Sequence, residues 1–89
     1  VVPVLAINKQ TGAVDGLPDV ITRGLVLEPN PEELLREASR LILDALGDIS
    51  AEERTDRGLV TEKVRAEMRR FFRKRSGRRP LVLPVIMEI

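Results

Sequence analysis

The sequence predicts an α+β fold: a three-stranded β-sheet covered on one face by two α-helices, in the chain order β-β-α-α-β. Three observations predict it. Residues 30–47 and 56–77 each carry an apolar stripe at helical spacing, bounded by start and stop signals. Two β-branched apolar runs, at residues 1–7 and 20–27, precede the helices. A third apolar run, residues 81–89, follows Pro80. Eighty-nine residues make one domain, spanning 1–89.

The first strand is read at residues 1–7, and Pro3 makes it an edge strand or lies near its start. Asn8, Thr11 and Gly12 give the following residues turn chemistry. Gly16 and Pro18 punctuate residues 13–19, which read as a loop. The second strand then occupies 20–27, and Gly24 inside it marks a bulge or a close approach. The two strands are expected to pair antiparallel across this longish connection.

Asn30 reads as the N-cap of the first helix, with Pro31 at its first position and Glu33 three residues on. Leu34, Leu35, Ala38, Leu41, Ile42, Ala45 and Leu46 share one stripe, and Gly47 is the stop. Residues 48–57 are polar and read as a loop or frayed helix. Ser50 and Glu53 have the spacing of a second capping box there, but Gly58 soon interrupts it. The second helix starts near Asp56 or Gly58 and buries Val60, Val64, Met68, Phe71 and Phe72. Gly77 ends it and Pro80 forbids continuation. The last strand, 81–89, is apolar on both sides, and Pro84 within it points to an edge or an irregularity. Two helices cover one face of a three-stranded sheet, so the other face of this strand lacks a cover in the chain. Such a face is where a small domain meets a partner. The residues expected at that contact are Val82, Val85 and Ile86.

Charge is unevenly spread. The net charge of +1 hides a split. Residues 31–58 hold four basic and eight acidic groups, and residues 59–89 hold nine basic and three acidic. Seven of the eleven residues 69–79 are cationic: Arg69, Arg70, Arg73, Lys74, Arg75, Arg78 and Arg79. Cations suit a helix C-terminus, and an acidic first helix can neutralise a basic second one. The same cluster suits contact with RNA phosphates. Both uses are compatible. No Tyr or Trp offers a stacking platform, so such contact is backbone-directed and salt-sensitive.

The composition narrows the chemistry. There is no cysteine and no histidine, which removes the commonest general base and the commonest zinc ligand. The acidic residues Glu32, Glu33, Glu37, Glu52, Glu53 and Asp56 cluster at helix starts, where they complement the dipole. No catalytic constellation, metal site or nucleotide-binding loop is read, and no cofactor is expected in this domain. No run reaches the roughly 18 apolar residues of a membrane span, so no membrane partner is expected. No segment reads as a signal peptide, and the absence of cysteine fits a reducing cytoplasm, the expected location. The start at Val1 rather than Met reads as a fragment of a longer chain.

Two segments together resemble a known family. Ile21-Thr22-Arg23-Gly24-Leu25-Val26 follows the hairpin, and Phe71-Phe72-Arg73-Lys74-Arg75-Ser76-Gly77-Arg78-Arg79-Pro80 leads into an apolar strand ending Ile86-Met87-Glu88-Ile89. In this combination, over essentially all 89 residues, the chain resembles the C-terminal domain of bacterial ribonuclease J. Residues 48–57 look longer than that family's usual helix connection, and Leu25 stands where Phe is commoner. The resemblance implies a parent enzyme with a metallo-β-lactamase core and a β-CASP insertion. That parent is a zinc-dependent 5′-to-3′ exoribonuclease that also cuts internally, in mRNA decay and ribosomal RNA maturation. Its zinc motifs match nothing in this chain, so the domain itself is expected to be non-catalytic and to support a homodimer or tetramer and RNA processing. The alternative, from the charge alone, is a free-standing electrostatic RNA-binding module.

Overall fold

The computed structural model describes residues 1–22 and 31–89. It contains strand β1 (Val2–Ile7), strand β2 (Val14–Ile21), helix α1 (Pro31–Gly47), a short helix α2 (Ala51–Arg54), helix α3 (Arg57–Ser76) and strand β3 (Val85–Glu88). The strands form one sheet in the order β2-β1-β3. The expected α+β fold with two long helices on one face of a three-stranded sheet is therefore present, with one extra helical turn between them.

The first strand is central, not an edge. Its partner β2 runs antiparallel, pairing Val2 with Ile21, Val4 with Asp19 and Ala6 with Asp15. Its partner β3 runs parallel, pairing Val4 with Val85, Leu5 with Ile86 and Ala6 with Met87. Pro3 lacks a donor, which is tolerated here near the start of the strand, one residue before the β3 ladder begins.

The turn between β1 and β2 is built as its sequence suggests. The Asn8 side chain accepts from the amides of Gln10 and Thr11 at 2.9 and 3.1 Å. Gly12 donates to the Asn8 carbonyl at 2.8 Å and has φ +77°, a backbone conformation that favours glycine.

The second strand lies earlier than expected. Residues 14–19 are strand, not loop, and of the expected 20–27 Val20 and Ile21 belong to it while Thr22 does not. The rest of that expectation beyond Thr22, with Gly24, lies outside the described residues, as does the Asn30 cap. Gly16 and Pro18 do not break the strand because β2 is an edge. The ladder slips between Val4 and Ala6 of β1, and Gly16, at φ +74°, sits opposite that slip as in a bulge. Pro18 needs no ladder donor on the outer side of an edge strand.

Helix α1 buries Leu34, Ala38, Ile42, Ala45 and Leu46, and the buried Ser39 hydroxyl donates to the Leu35 carbonyl at 3.0 Å. Helix α3 buries Val60, Val64, Met68 and Phe72, a strict four-residue stripe. Asp56 caps it by accepting from the Leu59 amide at 3.2 Å. Gly77 ends it at φ +70°, donating to the Arg73 carbonyl at 2.9 Å. Phe71 stays partly exposed, edge-on to Phe72 with ring centres 5.1 Å apart. These faces meet Leu5, Ile7, Val20, Val82 and Ile86 of the sheet side in one core.

Residues 81–89 follow β1 throughout, but the ladder breaks at Pro84. Before it, the N-terminal amine donates to the Leu81 carbonyl and the Leu83 amide to the Val1 carbonyl, both at 2.9 Å. After it come β3 and the Ile89 amide bonded to the Ile7 carbonyl at 3.0 Å. The expected irregularity and the expected edge position therefore both occur.

Residues 48–57 are not simply loop. Ser50 and Glu53 close a full capping box, and α2 forms one helical turn. That turn delivers Arg54. Its Nε donates to the Gly12 carbonyl at 2.7 Å, and its Nη1 to the carbonyls of Leu46 and Ile49 at 2.8 and 2.7 Å. The last turn of α1 has no basic residue of its own, so Arg54 supplies the cation and donors that its free carbonyls require. The same turn presses α2 onto the hairpin. A Cβ on Gly12 would lie 2.2 Å from the Ala51 carbonyl oxygen.

Replacing Arg54 with Met should lower unfolding free energy by about 3 kcal/mol, because charge-assisted bonds are lost and buried carbonyls left unpaired. Urea denaturation measures it. Gly12→Ala should cost more than Gly16→Ala. Both positions have positive φ, worth roughly 1–2 kcal/mol, but only Gly12 faces a backbone atom.

The Ser50 amide donates to Glu53 Oε1 at 2.9 Å, and this bond, with that of the Ser50 side chain, holds the Glu53 carboxyl below its ordinary value. Its folded value lies below its unfolded one, so its contribution is full above the ordinary carboxylate range and fades as pH falls through the folded value. The stability gap between wild type and Glu53→Ala should be present at neutral pH and close in acid. A gap that widened in acid would contradict this assignment.

Candidate nucleic-acid interface and the exposed sheet face

The basic cluster is carried by the second half of α3 and the connector after it. The hydrophobic stripe of α3 faces the core, so the intervening cations are pushed to its flanks. Arg73, Lys74 and Arg75 also sit in its last turn, where the helix dipole favours them.

Folding divides this cluster. Arg70 pairs with Glu67 at 3.0 Å, one turn earlier. Arg75 reaches across to α1, pairs with Glu37, and lies 5.9 Å from the centre of the Phe71 ring. The pair of Arg75 with Glu37 thus contributes to the expected neutralisation of the basic helix by the acidic one. Arg69, Arg73, Lys74, Arg78 and Arg79 form no side-chain hydrogen bond or ion pair with another described residue.

Four of the seven predicted cations come together. Arg69, Arg70, Arg73 and Arg79 line a cleft of about 610 Å³ whose remaining walls are Ala66, Pro80 and Leu81. It lies between one flank of α3 and the connector that Pro80 turns away from the helix. Lys74 and Arg75 line a separate, smaller cleft with Leu41, Glu67, Arg70 and Phe71. Arg78 is exposed beyond both.

The sheet presents its second face to solvent. Register places Ile21, Val2, Val4, Val85, Ala6 and Met87 on it, with Asp15 and Asp19 at its β2 edge, and Ile21, Val85 and Met87 are each more than 40% exposed. Leu81 and Leu83 extend the exposed apolar row toward the connector. Two of the three expected contact residues are not on this face. Val82 and Ile86 are 1% and 5% exposed and belong to the core, whereas Val85 points outward. Alternation along the strand requires this division, since residues 82 and 86 share one side and 81, 83, 85 and 87 the other.

Sequence reasoning missed two arginines. Arg54 holds the hairpin to the helices, and its only signal was the Ser50–Glu53 box before it. Arg57 donates to the Ile86 carbonyl at 3.1 Å and faces Glu88 at 3.8 Å, tying the start of α3 to β3. Nothing in the local sequence marks it. Among the described residues no three His, Cys, Asp or Glu side chains gather, and with no histidine in the chain the donor set does not fit a zinc centre. No described helix is long and apolar enough to cross a membrane.

A profile of the ribonuclease J C-terminal domain matches residues 1–89. Ribonuclease J 2 of Streptococcus pyogenes serotype M3 is 28% identical over 85 residues, covering 96% of this chain and 15% of the relative. Ribonuclease J2 of Bacillus subtilis is 24% identical over 86 residues, covering 97% and 16%. Ribonuclease J 2 of Staphylococcus aureus strain NCTC 8325 is 25% identical over 88 residues, covering 99% and 16%. The chain thus spans under a fifth of the length of these relatives.

Arg75→Ala should lower the melting temperature slightly, by an amount equivalent to less than about 1 kcal/mol, and the difference should shrink in high salt. Arg69→Ala should leave it unchanged. Equal losses from both would show that the two cations are not held differently.

Proposed function

The chain belongs to the ribonuclease J C-terminal domain family, and from that premise we propose that it is a non-catalytic accessory domain of a ribonuclease J-like enzyme. The parent activity on this reading is 5′-to-3′ exonucleolytic and endonucleolytic cleavage of RNA in the cytoplasm, in mRNA decay and ribosomal RNA maturation. Zinc belongs, on this reading, to the part of the parent that this chain does not span. The domain's own work is self-association into a dimer or tetramer and support of RNA processing.

The observation that carries the assembly role is the exposed apolar sheet face. The domain already has a closed core, so the row of Ile21, Leu83, Val85 and Met87 is not needed for folding. An exposed apolar row of this kind favours a partner, and a second copy presents the same row. A free-standing RNA-binding module is the second reading, and the arginine-lined cleft favours it.

Sedimentation of the 89-residue chain tests the assembly role. Reversible association at high concentration is expected, and Val85→Asp should abolish it while leaving thermal stability nearly unchanged, because Val85 is exposed. A chain that stays monomeric throughout, with or without the substitution, would overturn the self-association claim.

A further inference from the structure

We infer that the cleft between α3 and the connector is a binding site for a single strand of RNA, with Arg69, Arg73 and Arg79 as its phosphate ligands. This rests on the reading that the domain supports RNA processing, and assigns that role to three of the seven cations. Arg69 and Arg73 are one turn apart on the same flank of α3, roughly 6 Å along the axis. That separation is comparable to the distance between neighbouring phosphates of one strand. Arg79 comes from the connector, so residues from two segments line the same cleft.

Their electrostatic state fits the same use. None of the three is committed to an ion pair among the described residues, whereas Arg70 at the rim is held by Glu67 and Arg75 by Glu37. Three unpaired like charges around one concavity repel each other, and a polyanion relieves that repulsion. Arginine's planar fork also matches phosphate bidentately.

The rest of the lining selects the class of anion. Ala66, Pro80 and Leu81 give the cleft an apolar side, and Leu81 is 69% exposed. A nucleotide offers both charged phosphate and an apolar ring or sugar face to such a wall. An acidic peptide offers charge without a flat apolar face. With no exposed Trp or Tyr to stack on, the contact reads backbone and shape, not sequence.

The test uses fluorescence anisotropy of a labelled oligouridylate, and of labelled poly-aspartate, titrated with the 89-residue chain over a range of salt. One variant carries Arg69→Ala, Arg73→Ala and Arg79→Ala. A second removes the same charge elsewhere through Arg36→Ala, Lys74→Ala and Arg78→Ala. The cleft variant should bind oligouridylate about tenfold more weakly, and the slope of log affinity against log salt should fall by about 2. The charge-matched variant should keep most of both. Equal loss in the two variants would overturn the cleft and leave diffuse RNA attraction standing. Tighter binding of poly-aspartate through the same arginines would overturn RNA in favour of an acidic protein partner. No binding of oligouridylate by the wild-type chain at low salt would overturn the cleft together with the RNA half of the proposed function, while the sedimentation result would still decide assembly.

Discussion

The Arg54 guanidinium is the contact on which the arrangement depends. One side chain satisfies carbonyls from three places: the hairpin turn at Gly12, the end of α1 at Leu46, and the link at Ile49. Apart from Arg54 and the bond from Arg57 to the Ile86 carbonyl, the described sheet and helices meet through apolar packing, which fixes proximity but not register. The charged fork adds direction, because its donors point at particular carbonyls. Gly12 completes the constraint by removing the side chain that would hold the turn away from α2.

Two surfaces follow from that arrangement. With the helices docked on one face of the sheet, β1 is left in the centre and its other face is open. The parallel return of the chain as β3 then adds Val85 and Met87 to an apolar row that already holds Val2, Val4 and Ile21. Arg57 helps set that return by binding the Ile86 carbonyl from the start of α3. At the far end of the same helix, the core stripe turns inward and leaves its arginines beside the connector. The row and the cleft meet near Leu81, so a partner on one lies close to a ligand in the other.

The helices were legible because their signals are local. Asp56, Gly77 and the four-residue apolar spacing delimit α3 without any knowledge of what it packs on. The second strand was not, because Gly16 and Pro18 break a central strand but are tolerated at an edge, and edge position is a property of the whole sheet. The short helix α2 is only partly legible, because Gly58 interrupts the pattern soon after the Ser50–Glu53 box, yet that box is sufficient for one turn, and Gly58 lies in the next helix. For the last strand, apolar residues on both sides carry no phase, so period two alone does not say that Val82 and Ile86 face inward. The seven cations were legible as a cluster. Their division was not, since it depends on Glu37, thirty-eight residues from Arg75 in the chain.

Native-state hydrogen exchange at the Gly12 amide, compared with the amides of Leu5 and Ile86, tests the central claim most directly. If Arg54 binds the turn into the cooperative unit, the Gly12 amide, bonded to the Asn8 carbonyl, exchanges only through the same global opening as the core strands. Exchange at the rate of an unprotected turn, with the core amides still protected, would contradict the account.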